Sequence, residues 1–246
     1  MELSITGAKH LFTIPIFGGI TITETVVNTW IVMAVIVGVC IYLTRDLKVH
    51  ATSKRQIVAE YLVKTADNFV LGNMGSQFGC YVPFIATLFV LSMLSNLSSL
   101  LGFFSPTTDL STEMAWALLV FVLITYHKFK ANGPLGYLKS YTQPIFVLTP
   151  FNIISEIATP ISMAFRHFGN VASGSVITTL VYAALAALSH FVLGWIPGII
   201  GQIPFLQVGL PAILSVYFDL FSGCLQAFIF AMLTMMYISS AAETDN

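Results

Sequence analysis

From Pro144 to Phe191 the chain carries only two formal charges, Glu156 and Arg166, and no strong helix break appears before Gly194. Taken as one helix, about 45 residues at 1.5 Å each would be ~65 Å long, twice the ~30 Å hydrocarbon thickness of a bilayer. Such a helix must tilt steeply, kink at Pro160, or lie partly in the interface. Leu206 to Ser240 poses the same difficulty, with Asp219 as its single charge. Joined by the loop Gly194 to Pro204, the two stretches form an overlong hairpin, a shape suited to packing around something curved.

Composition excludes the water-soluble alternatives. Only 9% of the 246 residues are charged, against about 25% in an ordinary soluble domain. The mean hydropathy is +0.87. A net charge of −1 and a pI near 6.5 argue against a surface for nucleic acid or any other polyanion. Cys40, Cys80 and Cys224 lie within apolar runs and offer neither a disulfide framework nor a metal-ligand spacing.

Three further stretches have the length and apolarity of spanning helices. Thr25 to Thr44 is uncharged and ends against Arg45, Asp46 and Lys48. Asn68 to Thr108 is also uncharged, most apolar between Tyr81 and Phe104. Met114 to Tyr126 is short, but Glu113 and His127-Lys128 stand where side chains can reach the headgroups. No basic start followed by an apolar run marks a signal peptide, so the N-terminus is expected to be retained.

Five of the ten basic residues (Arg45, Lys48, Lys54, Arg55, Lys64) lie between the first and second spans, and Lys128, Lys130 and Lys139 follow the third. Ser105 to Glu113 holds none, and neither does anything after Arg166. The positive-inside rule makes the two basic segments cytoplasmic. The expectation is an all-α polytopic membrane protein of about five crossings, N-out and C-in, forming one membrane domain over 1–246. Within it, 1–24 is an external segment, 25–140 holds three spanning helices with cytoplasmic basic loops, 141–240 is the long tilted hairpin, and 241–246 is a tail.

Function must reside in the polar groups a membrane should have excluded. An arginine at the centre of a span costs about 2.5–3.5 kcal/mol on insertion scales, and is usually partnered, water-exposed or functional. Arg166 has that character, because Glu156 is about 15 Å back along a helix and the apolar run continues well beyond it. Asn170 and Ser173 are four and seven residues on, so they share its face, with Gly169 and Gly174 leaving room for close approach. That stripe is either ordinary small-residue packing or a contact surface. The second reading expects it to meet a partner rather than lipid or another part of this chain.

Asp219 and Gln226 are seven apart and nearly aligned. A buried carboxylate can lose its charge by taking a proton, so Asp219 is either a proton carrier or a static partner of Arg166. His167, beside the arginine, is turned about 100° from its face. His190, near the outer end of the long helix, either lines a water path or is a satisfied core residue. HExxH, GxSxG and Walker patterns are absent from the sequence, so no catalytic site, cofactor or metal is expected in this chain.

Glu156-Ile-Ala-Thr-Pro160-Ile-Ser-Met-Ala-Phe-Arg166-His-Phe-Gly169-Asn170 strongly resembles the signature of subunit a of F-type ATP synthases. Leu225-Gln226-Ala227-Phe228-Ile229-Phe230, Leu233-Thr234 and Tyr237 support the resemblance, as do Pro106-Thr-Thr-Asp109-Leu and Thr25-Val-Val-Asn-Thr-Trp30. It covers nearly the whole chain in order. It implies a stator subunit with two offset half-channels that load and unload ions on the carboxylates of a rotating c-ring. Ion translocation would involve Arg166, Asn170, Asp219, Gln226, Ser175, Glu156 and His190. The partners implied are the c-ring, the subunit b peripheral stalk, the F1 part and membrane lipid, in a bacterial plasma membrane.

Four positions depart from that pattern. Ser175 stands where many members have a carboxylate, Asp219 where many have His or Glu, Thr159 where a basic residue is common, and His167 where Leu is common. The rival is a secondary ion-coupled transporter or channel using Arg166 and Asp219. It would call for paired inverted repeats and mid-membrane helix breaks, which the sequence does not display.

Overall fold

The computed structural model describes residues 8–15, 20–49, 53–143, 145–193, 213 and 216–242. The chain enters through an antiparallel hairpin, β1 (His10–Ile14) and β2 (Ile20–Thr23). This short hairpin occupies the segment read as external, and every spanning element beyond it is helical, as the all-α expectation has it. α1 (Glu24–Thr44) follows directly. Val35, Val37, Val39 and Ile41 are all exposed along it, which suits a helix bathed in lipid and not one in water.

α2 (Lys54–Met74) carries Lys54, Arg55, Glu60, Lys64 and Asp67. Ser53 caps its start by accepting from the Gln56 amide. It ends at Gly75, whose φ of 96° suits a residue without a Cβ. The uncharged stretch read as beginning at Asn68 is therefore divided: its first turns belong to α2, and the apolar span runs from Ser76 to Leu101. The regular helix within that span is α3 (Val82–Leu97), with 3₁₀ turns on either side.

α4 (Leu110–Ser140) is much longer than its apolar core, and Asp109 caps it by accepting from the Ser111 amide. It bends at Gly133, where φ is +68° before Pro134. α5 (Thr149–Leu193) is one continuous helix of 45 residues that passes through Pro160, about 68 Å end to end. The predicted loop Gly194 to Pro204 lies outside the described residues, as does the start of the last segment. From residue 216 that segment is a π-helical stretch, Val216–Ser222, leading into α6 (Gly223–Ala242).

Five helical segments, Glu24–Thr44, Ser76–Leu101, Leu110–Ser140, Phe146–Val192 and Val216–Ala242, are long and apolar enough to cross a membrane. The chain is an all-α multi-pass integral membrane protein. α6 packs against both α3 and α4, and α4 against α5. The core lies among them, with Ile85, Leu88, Ala117, Val120, Met163, Ala164, Phe230 and Met235 buried. α1 is fastened to the bundle by polar groups at its N-terminal end: Thr25 donates to Asp109 Oδ2 (2.8 Å), and Asn28 to the Phe104 carbonyl (2.8 Å).

Candidate functional site

Around the middle of α5 the buried positions are Pro160, Met163, Ala164, His167 and Gly174, a helical spacing that turns one stripe toward α4 and α6. Arg166 lies off that stripe and is exposed. Among the described residues no hydrogen bond or ion pair holds its guanidinium. Ser173 is exposed too, and donates to the Asn170 carbonyl (3.0 Å).

Asn170 corrects the sequence reading. Four residues past Arg166 it has rotated far enough to reach the neighbouring helix, where its Nδ2 donates to Gln226 Oε1 (3.3 Å). Its Oδ1 accepts from Ser222 (3.1 Å). The expected stripe therefore splits: Arg166 and Ser173 stay on the open face, while Asn170 joins buried Gln226 in tying α5 to α6. Gly174 makes the close approach possible, since a Cβ there would lie 3.1 Å from the Phe218 ring. Gly169 has open space around it.

The seven-residue offset between Asp219 and Gln226 assumed unbroken α-helix, whereas the backbone from 216 to 222 is π-helical. π-type i→i+5 bonding changes the phase along the helix, so that offset does not imply alignment. The side chains of Ser175 and Asp219 lie outside the described residues. His190, in the last turn of α5, is exposed.

Toward the other end of α5, Glu156 is paired with Lys128 of α4 (2.9 Å) and accepts from the Tyr137 hydroxyl (3.1 Å). A cavity of about 180 Å³ opens beside them, lined by Ile124, Lys128, Glu156, Thr159 and Ser240 among others. Lys128 therefore serves an ion pair. His127 is likewise engaged, bonded to the Tyr81 hydroxyl. Burial, then the Glu156 carboxylate and Tyr137, push the Tyr141 phenol far above its usual range.

A second polar cluster was not foreseen. Glu113, expected near the headgroups, is wholly buried, as is His167. His167 Nδ1 lies 2.9 Å from Glu113 Oε2. Asn96 of α3 approaches the other ring nitrogen, Nε2, at 3.2 Å, and donates to the Gly223 carbonyl at 2.8 Å. Its Oδ1 accepts from Thr107. The histidine after the arginine was the available signal, but its partner is 54 positions away in sequence and no local pattern points there. Nearby, burial alone would raise the Asp109 carboxyl, yet bonds from Ser111 and Thr25 outweigh it and hold the group below its ordinary value.

The chain matches the family described as ATP synthase A chain over residues 26–239. It is 33% identical to ATP synthase subunit a of Desulforamulus reducens, covering 91% of this chain and 81% of that protein. It is 34% identical to ATP synthase subunit a 1 of Chlorobaculum parvum, covering 92% of each. With the Propionigenium modestum protein named ATP synthase subunit a, sodium ion specific, it shares 31% identity over 91% of this chain and 75% of that protein.

Proposed function

This chain belongs to the ATP synthase A chain family, and from that premise we propose that it is the stator ion-channel subunit of a rotary F-type ATP synthase in a bacterial plasma membrane. Its partners are the c-ring, the subunit b peripheral stalk and the F1 part, and it lies N-out and C-in with its long hairpin tilted along the ring. Two offset aqueous half-channels each reach only mid-membrane. An ion enters one, binds a ring carboxylate, rides nearly a full turn and leaves through the other.

The observation that carries this reading is Arg166, a charge held at the middle of a 45-residue apolar helix, exposed and with no described partner of its own. A cation so placed awaits a carboxylate from another chain. It favours the deprotonated ring site and repels a free proton between the channels. Asn170 and Gln226 brace the helix one turn away. Glu156, beside its cavity, lies toward the cytoplasmic half-channel, whereas Ser175, Asp219 and His190 lie toward the outer one. Each elementary charge crossing ~100 mV delivers about 2.3 kcal/mol, so several ions pass per ATP.

Arg166→Ala tests the assignment in membrane vesicles holding the assembled complex. Ion-driven ATP synthesis should vanish while co-purification with the ring and F1 is kept. Wild-type synthesis by the assembled mutant would overturn it. ATP-driven pumping with and without sodium identifies the ion, a choice raised by the sodium-specific name of the P. modestum relative.

A further inference from the structure

We propose that Glu113 is a proton-exchanging carboxylate of the outer half-channel, and that His167 is its positioning partner. The proposal rests on the stator reading above.

Glu113 and His167 are both fully buried, yet among the described residues neither carboxylate oxygen has a hydrogen-bonded partner, and neither does His167 Nδ1. The two side chains stand at hydrogen-bonding distance, 2.9 Å from Nδ1 to Oε2, without hydrogen-bond alignment. A bare carboxylate in an apolar interior is costly as an anion. It must take a proton, meet water, or settle onto the imidazole N–H. Ser92 Oγ is another buried polar atom with no hydrogen-bonded partner among the described residues, and it lies four residues before Asn96 on the same face of α3.

The surroundings fix what the imidazole can do. The Asn96 amide is oriented from two sides: its Nδ2 must face the Gly223 carbonyl, and its Oδ1 receives the Thr107 hydroxyl. The same Nδ2 therefore presents N–H to His167 Nε2, which has to accept. The ring proton then sits on Nδ1, the nitrogen 2.9 Å from Glu113 Oε2. His167 is thus no wire through which a proton crosses from one ring nitrogen to the other. It is a fixed donor that stabilises the carboxylate once its proton has left.

The exchange is balanced simply. A proton from outer-side water adds to a Glu113 oxygen, and the same proton later leaves toward the ring carboxylate beyond Arg166, restoring the anion that Nδ1–H supports. Position favours the outer side. Thr107 and Asn96 lead inward from the 105–109 segment, which the positive-inside rule places outside, and His167 adjoins Arg166 in the chain.

Among the described residues few other charges face the pair. Neither α3 nor α6 contains Asp, Glu, Lys or Arg. Asp109, before α4, is committed to Thr25 and Ser111. On α5 the neighbouring charge is Arg166, and along α4 the next is Lys128, about 22 Å away. The π-helical segment includes Asp219 in its sequence, with a side chain outside the described residues.

The test uses the whole complex in inverted vesicles, with ATP-driven proton pumping followed over a pH series. Glu113→Gln should assemble with the ring and F1 and lose at least ~10-fold in pumping, the scale of a lost proton-transfer group. Glu113→Asp should restore part of the rate with a displaced pH profile. His167→Gln, which can still donate to Glu113 and accept from Asn96, should stay closer to wild type than His167→Leu. Wild-type rate and profile in assembled Glu113→Gln would overturn the proposal. So would an unchanged profile in Glu113→Asp, the variant that decides if the glutamine form fails to assemble. Neither outcome touches the stator reading, which falls only if assembled Arg166→Ala still makes ATP.

Discussion

Replacing Asn96 by alanine should destabilise the chain by about 2–4 kcal/mol, and the structure says where the loss falls. Three partners lose a bond, but they do not suffer alike. Thr107 has Ser105 at 2.7 Å to turn to. The Gly223 carbonyl, at the head of α6, is positioned for an intrahelical bond as well. His167 Nε2 has no alternative among the described residues, and a buried acceptor left unpaired costs about 1–3 kcal/mol. The small cavity left by the amide adds about 1 kcal/mol. Unfolding of the purified chain in mixed micelles, followed against denaturing detergent, measures the difference. In a double-mutant cycle, Asn96→Ala should cost about 1–3 kcal/mol less when His167 is already Leu, because the orphaned nitrogen is gone. A loss below about 0.5 kcal/mol for Asn96→Ala, or strict additivity with His167→Leu, would refute the reasoning.

Gly174→Ala should cost about 1–3 kcal/mol through overpacking, since its new Cβ meets the Phe218 ring at 3.1 Å; Phe218→Leu should relieve part of this, as read by the same unfolding assay. The Asp109 carboxyl is held below its ordinary value, so its contribution to stability is present above that value and lost as pH falls through the lower folded one. Asp109→Asn should therefore flatten the acid limb of stability against pH below about pH 4, and an identical acid limb would count against the Thr25 and Ser111 bonds. Lys128→Ala should weaken pumping less than Glu156→Gln, because Tyr137 still donates to Glu156 when the lysine is gone; the reverse order in vesicle assays would assign the ion pair to structure alone.

The spans, the outstanding intramembrane charge and the family resemblance can all be read along the chain. These are local properties: twenty apolar residues insert wherever they occur, and an arginine among them is costly regardless of its neighbours. Boundaries were less legible, as at Gly75, where a turn without a charge divides two helices that hydropathy runs together. Which polar groups meet depends on how the helices pack. Asn96 and Gly223 are 127 positions apart, and Asn170 turns from the open face to Gln226 across 56. Periodicity assigns a residue to a helix face but not the helix that face will meet, so it could place His167 away from Arg166 without finding Glu113. The π-helical stretch from 216 to 222 was hidden for the same reason: its hydrogen bonds shift by one residue, and no side-chain pattern in Val-Tyr-Phe-Asp-Leu-Phe-Ser records that shift.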